Sequence, residues 1–257
     1  MTVYFIGAGP GAADLLTLRA DRLIRTSPVC LYAGSIVPEE VLDNTPEGAE
    51  VINTARMPLE EIIEVIRRAD AQGRDVARLH SGDPSIYSAL AEQARRLTTL
   101  GIEYEIVPGV PAFSAAAAVL GHELTVPTVG QSVILTRVGG RASAMPDGED
   151  LPTLGRSGAT MVIHLAAHDI DRVVAELLPN YGPECPVAVV AYASRPEEKT
   201  VRGTLAGIAD QVREAGIVRT AVIIVGRVLA AEGFPDSFLY SDDRPRDENG
   251  RTLTCTH

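Results

Sequence analysis

Lysine is almost missing from this chain. Its 257 residues hold 22 arginines and one lysine, Lys199. GC-rich coding produces such a bias on its own, yet the planar guanidinium also grips carboxylates at two points, which an ammonium does not. Positive charge is not in excess: the net charge is −11. That disfavours nucleic acid as a partner, because phosphate binding asks for cationic surface. An anionic ligand would need its arginines gathered locally.

Cysteine is scarce too. Cys30, Cys185 and Cys255 are far apart and form no Cys-x-x-Cys pair, which argues against a disulfide framework or a structural zinc site. Cys30, within an apolar strand pattern, reads as a small buried hydrophobe. His164 and His168 are four apart, but a strand-to-loop boundary is expected between them, so no metal is expected. No apolar run approaches the length of a membrane span. The N-terminus shows no basic segment leading into a long apolar core. With 46% apolar and 22% charged residues, the expectation is a cytoplasmic globular enzyme without a membrane partner.

The patterns that are present alternate. Short apolar segments at 2–7, 29–33, 50–53, 75–80 and 103–107 read as strands. Helical patterns separate them at 15–26, 38–44, 85–100 and 112–120, with a further amphipathic run around Leu59, Ile62, Ile63 and Ile66. Such alternation predicts a mostly parallel sheet covered on both faces. A second set starts at Ser132–Thr136 and continues with strands at 159–164, 187–192, 198–202 and 220–226 and helices at 168–178 and 204–215. The short link through Pro196 predicts a hairpin, hence a mixed second sheet. The fold class is therefore α/β in two domains, 1–122 and 123–240, with a polar tail at 241–257. Segment 138–158, rich in Gly, Ala, Ser and Pro, is expected to be a loop.

The chain's opening, Val3–Ile6 into Gly7-Ala8-Gly9-Pro10-Gly11-Ala12, satisfies the spacing of a dinucleotide-binding turn. The second strand, however, ends Leu31-Tyr32-Ala33-Gly34-Ser35 without the acid that would hold a ribose. Pro10 also removes a backbone donor from the turn. Two further turns stand at strand ends: Ser81-Gly82-Asp83-Pro84 and Pro108-Gly109-Val110-Pro111, the latter followed by an alanine-rich helix. Taken alone, Asp83 could cap a helix, and the alanine run could mark tight helix–sheet packing. Three glycine turns at the strand ends of one sheet point to a binding site.

Together these turns resemble the tetrapyrrole methylases, the class III S-adenosylmethionine-dependent methyltransferases. Gly7–Thr17, Gly82–Pro84, Pro108–Val110, Val133–Arg137, Gly203–Leu205 and Ala221–Gly226 carry the resemblance in order. Leu31–Pro38, Arg78–Tyr87 and Ile163–Leu165 are similar to the branch that methylates carbon 11 of precorrin-4 in cobalamin synthesis. The resemblance implies two α/β domains, S-adenosylmethionine in the cleft between them, an anionic precorrin substrate and a homodimer. By position, the implied cofactor contacts are Pro10, Gly82, Asp83, Ile86, Ala112, Leu165 and Ala193. Relatives often have Met at 165 and Gly at 193, Pro111-Ala112 replaces a hydroxyl-bearing pair, and Ser88 stands where Gly is expected. No general base is implied. Tyr32 and Tyr87 are candidates to line the macrocycle face, or to be core. Arg56, Arg78, Arg137 and Arg141 are candidates to pair with substrate carboxylates. The rival readings are methylation at another ring carbon or of uroporphyrinogen III, a non-catalytic corrinoid carrier, and a nucleotide-binding protein.

Overall fold

A computed structural model describes residues 1–34, 37–140, 144–238, 241, 244–246, 248 and 250. Arg141, Cys255, Ser35 and Ile36 of the Leu31–Pro38 motif, and most of the tail lie outside the described residues.

The first domain is a five-stranded sheet of β1 (Thr2–Gly7), β2 (Val29–Tyr32), β3 (Glu50–Asn53), β4 (Val76–His80) and β5 (Glu103–Val107), in the order β3-β2-β4-β1-β5. Every pairing is parallel. α1 (Leu18–Thr26) and α2 (Glu39–Leu42) cover one face, burying Leu23, Ile24 and Val41 against Ile6, Cys30, Ala77 and Leu79. α3 (Leu59–Ala71) and α4 (Leu90–Leu100) cover the other, where Ile62, Ile63, Ile66 and Leu97 meet Val3, Phe5 and Leu31. The chain thus leaves β1 and β4, which are neighbours, toward opposite faces. That opens a crevice at their C-terminal ends. Cys30 is fully buried, and burial pushes its thiol up to about 12.

The second sheet is mixed: β6 (Val133–Arg137), β7 (Thr160–His164), β8 (Pro186–Ala191), β9 (Lys199–Thr204) and β10 (Ala221–Val225), in the order β6-β7-β10-β8-β9. β6 and β7 are parallel; β10 runs antiparallel to β7 and β8, and β8–β9 is the expected hairpin. Alternate residues face opposite sides, as a strand's period of two requires. Met161, Ile163, Val187 and Val189 pack under α7 (Ile170–Tyr181) and α8 (Ile208–Glu214). Val162, Ala188, Val190 and Val222 pack under α5 (Ala112–Leu120).

Three expectations need correction. The alanine helix α5 packs on the second sheet, starting ahead of residue 122, because its side chains are small enough to seat it against the flat valine-rich face. Helix 85–100 starts only at Leu90: Tyr87 and Ala89 have φ of 53° and 51°, left-handed values that interrupt a helix. Segment 138–158 is not all loop. Asp150 accepts from the Thr153 N–H at 2.8 Å and caps a short helix, α6 (Leu151–Gly155).

Candidate active site

The three glycine turns meet at one point. The Gly9 and Gly82 backbones exchange two hydrogen bonds, Gly82 N–H to Gly9 O at 2.8 Å and Gly9 N–H to Gly82 O at 3.2 Å. The approach is so close that a Cβ on Gly7 would lie 2.5 Å from the Gly109 nitrogen. Glycine at 7 is therefore a steric requirement of the crevice rather than a phosphate cradle. The Ala12 N–H donates to Ser194 Oγ at 3.0 Å, which ties this corner to the loop after β8.

Asp83 braces the corner. Its Oδ2 accepts from the Gly109 N–H at 2.8 Å, and its Oδ1 accepts from the Ser85 N–H at 2.8 Å and from the Ser85 hydroxyl. Burial alone would raise its pKa. The Ser85 hydroxyl and the Gly109 and Ser85 amides outweigh burial and hold it below the ordinary value. The carboxylate is ionised at neutral pH. Asp83 caps no helix, since none starts until Leu90.

Facing this corner are the C-terminal ends of β7 and β8 and the start of β10. Between them lies a cleft of about 550 Å³. All seven positions singled out from the sequence, Pro10, Gly82, Asp83, Ile86, Ala112, Leu165 and Ala193, line it. Sequence reasoning missed Tyr192, Val218, Arg219 and Thr220, which line it as well. Leu165, Tyr192 and Thr220 have φ of 55°, 53° and 52°. With Tyr87, four of the seven non-glycine residues at positive φ among the described residues thus line this one cleft. Such strain gathers where a ligand is clamped. No sequence signal marks it, because none of the four is a glycine.

One end of the cleft is aromatic. His164 lies 5.6 Å from the Tyr87 ring and 6.4 Å, edge-on, from Phe113. Burial lowers its pKa to about 4, so it is neutral near pH 7. Its Nε2 is buried and has no hydrogen-bond partner among the described residues. Tyr87 is lining, as expected, whereas Tyr32 packs half-buried against the apolar cluster below α1.

The arginine candidates separate. Arg137, at the end of β6, donates to the Val138 carbonyl at 3.0 Å and the Ala144 carbonyl at 3.2 Å, holding the loop beside the cleft. Arg56 is exposed and does not line the cleft. Arg78 is corrected: it is 6% exposed and sealed inside the first domain, because every residue of β4, the sheet's middle strand, is buried.

Residues 2–209 match the family of tetrapyrrole (corrin/porphyrin) methylases. A precorrin-4 C(11)-methyltransferase of Rhodococcus erythropolis is 68% identical over 96% of this chain and 99% of that protein. The X-ray structure of a cobalt precorrin-4 methyltransferase superposes with a TM-score of 0.86 at 39% identity, over 89% of this chain and 95% of the other. The uroporphyrin-III C-methyltransferase of Thermus thermophilus, solved with S-adenosyl homocysteine, gives 0.77 at 30%, over 90% and 99%. The chain belongs to the tetrapyrrole methylase family.

Proposed function

We propose that this protein is an S-adenosylmethionine-dependent methyltransferase acting on carbon 11 of precorrin-4, in the cytoplasm and as a homodimer. The observation that carries the reading is the convergence of all seven expected contacts on one cleft, in a chain 68% identical to a precorrin-4 C(11)-methyltransferase.

The cleft suits the donor. Its size lies within the range of cofactor sites. Ala112, Ala166 and Ala193 leave room along its wall, and the ionised Asp83 supplies negative charge at its rim. When bound, S-adenosylmethionine supplies an electrophilic methyl on a sulfonium whose departure leaves a neutral thioether. Little acid–base work remains for the protein, and the chain's residues act by position. The Gly7–Gly82–Gly109 corner and Asp83 fix one wall. Leu165, Tyr192 and Thr220 present the other. Tyr87 and His164, with Phe113 edge-on behind His164, give an apolar, uncharged end suited to a flat conjugated ring. Arg137 acts electrostatically on Tyr87 at that end, and Glu149 acts on it with the opposite sign.

The test is incubation of the purified protein with methyl-labelled S-adenosylmethionine and, in parallel, precorrin-4, cobalt-precorrin-4 and uroporphyrinogen III. Label at carbon 11 of either precorrin supports the reading. Label on uroporphyrinogen III alone moves the protein to the siroheme branch. S-adenosylhomocysteine that does not bind rejects a methyltransferase.

A further inference from the structure

Arg78 is an expensive residue to bury. Among the described residues no carboxylate lies within ion-pair distance of it, and its partners are neutral. Nε–H donates to Gln93 Oε1 at 3.0 Å, and Nη1 donates to Thr54 Oγ1 at 2.8 Å. Burial lowers its pKa to about 10. An apolar side chain would fill this place at less cost, so packing alone does not account for a guanidinium here.

Its partners lead to the cleft. Gln93 passes the contact on, since its Nε2 donates to the Ala89 carbonyl at 3.0 Å. Thr54 does the same on the other side, its hydroxyl donating to the Tyr32 carbonyl at 3.0 Å, where β2 ends. His80, two residues along β4, is buried and lies close enough to the Ser88 backbone to feel it. The segment from 81 to 89 is therefore held at two ends by different means. Its front is fixed by the Gly9–Gly82 pair and the Asp83–Gly109 bond. Its back, with Tyr87 and Ala89 left-handed, is tied to the Gln93 side chain of α4, which accepts from the buried Arg78 of β4. Non-glycine residues do not hold that conformation unaided.

We propose that Arg78, acting through Gln93, is a positioning residue that holds the Tyr87–Ala89 turn and thereby sets Tyr87 against the macrocycle end of the cleft. This rests on the reading of the cleft as a site for methyl donor and macrocycle. The two ends of the segment then serve two ligands: the front serves the donor and the back serves the macrocycle.

The variant that separates positioning from stability is Gln93→Glu. The carboxylate keeps an acceptor for Arg78 and neutralises the buried cation, but it has no N–H for the Ala89 carbonyl and repels it. The expected result is an unchanged or raised Tm. S-adenosylhomocysteine affinity stays within about threefold, while kcat/KM for the macrocycle falls about tenfold or more. Amide exchange accelerates over residues 87–90 but not over 81–83. A second variant, Arg78→Met with Gln93→Leu, removes the same tie with an apolar fill and is expected to behave alike. Wild-type macrocycle kinetics in both variants, or exchange at 87–90 unchanged, overturns the proposal. So does an activity loss that merely tracks a lower Tm. If the wild-type protein neither binds the donor product nor methylates, the reading of the cleft fails, and the exchange measurement still decides the role of Arg78.

Discussion

The Gly109 amide donates to Asp83 Oδ2 across 2.8 Å, joining the loops after β5 and β4 at the mouth of the cleft. The same carboxylate takes two more hydrogen bonds from Ser85. Replacing Asp83 by Asn exchanges one acceptor for a donor that faces an N–H. The expected outcome is a loss of S-adenosylhomocysteine affinity of about tenfold or more, read by calorimetric titration. The pH sign follows from the depressed pKa. Asp83 contributes stability that is present above its ordinary value of 3.8 and is lost as pH falls through the lower folded value. The stability gap between wild type and Asp83→Asn should therefore narrow only in strong acid. A gap that closes already between pH 7 and 5 would contradict this assignment.

Gly7 and Gly109 touch through their backbones, a Cβ on Gly109 falling 2.7 Å from Gly7 Cα. Neither atom belongs to a flexible side chain, so the clash cannot be relieved locally. Gly109→Ala is expected to destabilise by about 3 kcal/mol, the upper end of overpacking costs. Urea unfolding measures it. A cost under about 1 kcal/mol, the scale of a tolerated change, would mean that the corner is looser than drawn.

Much of this was legible in the sequence because it depends on local pattern. The strands, the β8–β9 hairpin and the order of glycine turns all leave a periodic or turn signature. So does the branch-like motif Arg78–Tyr87, although Arg78 itself is buried in the sheet and not a ligand contact. Its position at a strand end suggested a ligand contact, and only the strand order shows that β4 lies in the middle of the sheet. α5 was misplaced for the same reason: an alanine helix is compatible with either sheet, and long-range packing decides. The left-handed Tyr192 and Thr220 leave no mark at all, since tertiary contacts impose a conformation that their residue types disfavour. α6 did have a signal, Asp150 ahead of Leu151-Pro152, but the surrounding Gly, Ser and Pro obscured it.

His164 and His80 are both held neutral. Burial lowers His164 to about 4. For His80, burial and then the Arg78 charge give about 3. In the unfolded chain both titrate near 6.5, so between about 6.5 and 4 the unfolded state binds more protons and stability falls with pH. The slope is at most about 1.4 kcal/mol per pH unit for each histidine. His164→Phe keeps a ring between Tyr87 and Phe113 and removes one titrating group. Urea unfolding at pH 7 and pH 5 should show a smaller drop for the variant than for wild type. Equal drops would mean that His164 titrates normally in the folded protein.

Leu165 combines two unfavourable features: it is 62% exposed and its φ is 55°. A left-handed backbone costs a non-glycine residue about 1–2 kcal/mol. Leu165→Gly relieves that strain, while the extra freedom of glycine in the unfolded chain costs about 0.5–1 kcal/mol in return. The two nearly cancel, so stability should stay within about 1 kcal/mol of wild type. Binding has no such compensation. The leucine side chain is apolar cover on the cleft wall, and most of its burial against a ligand would be lost, worth about 1.5 kcal/mol or more. The expected outcome is an unchanged unfolding midpoint with S-adenosylhomocysteine bound about tenfold more weakly. Unchanged affinity at unchanged stability would show that the leucine side chain does not touch the donor.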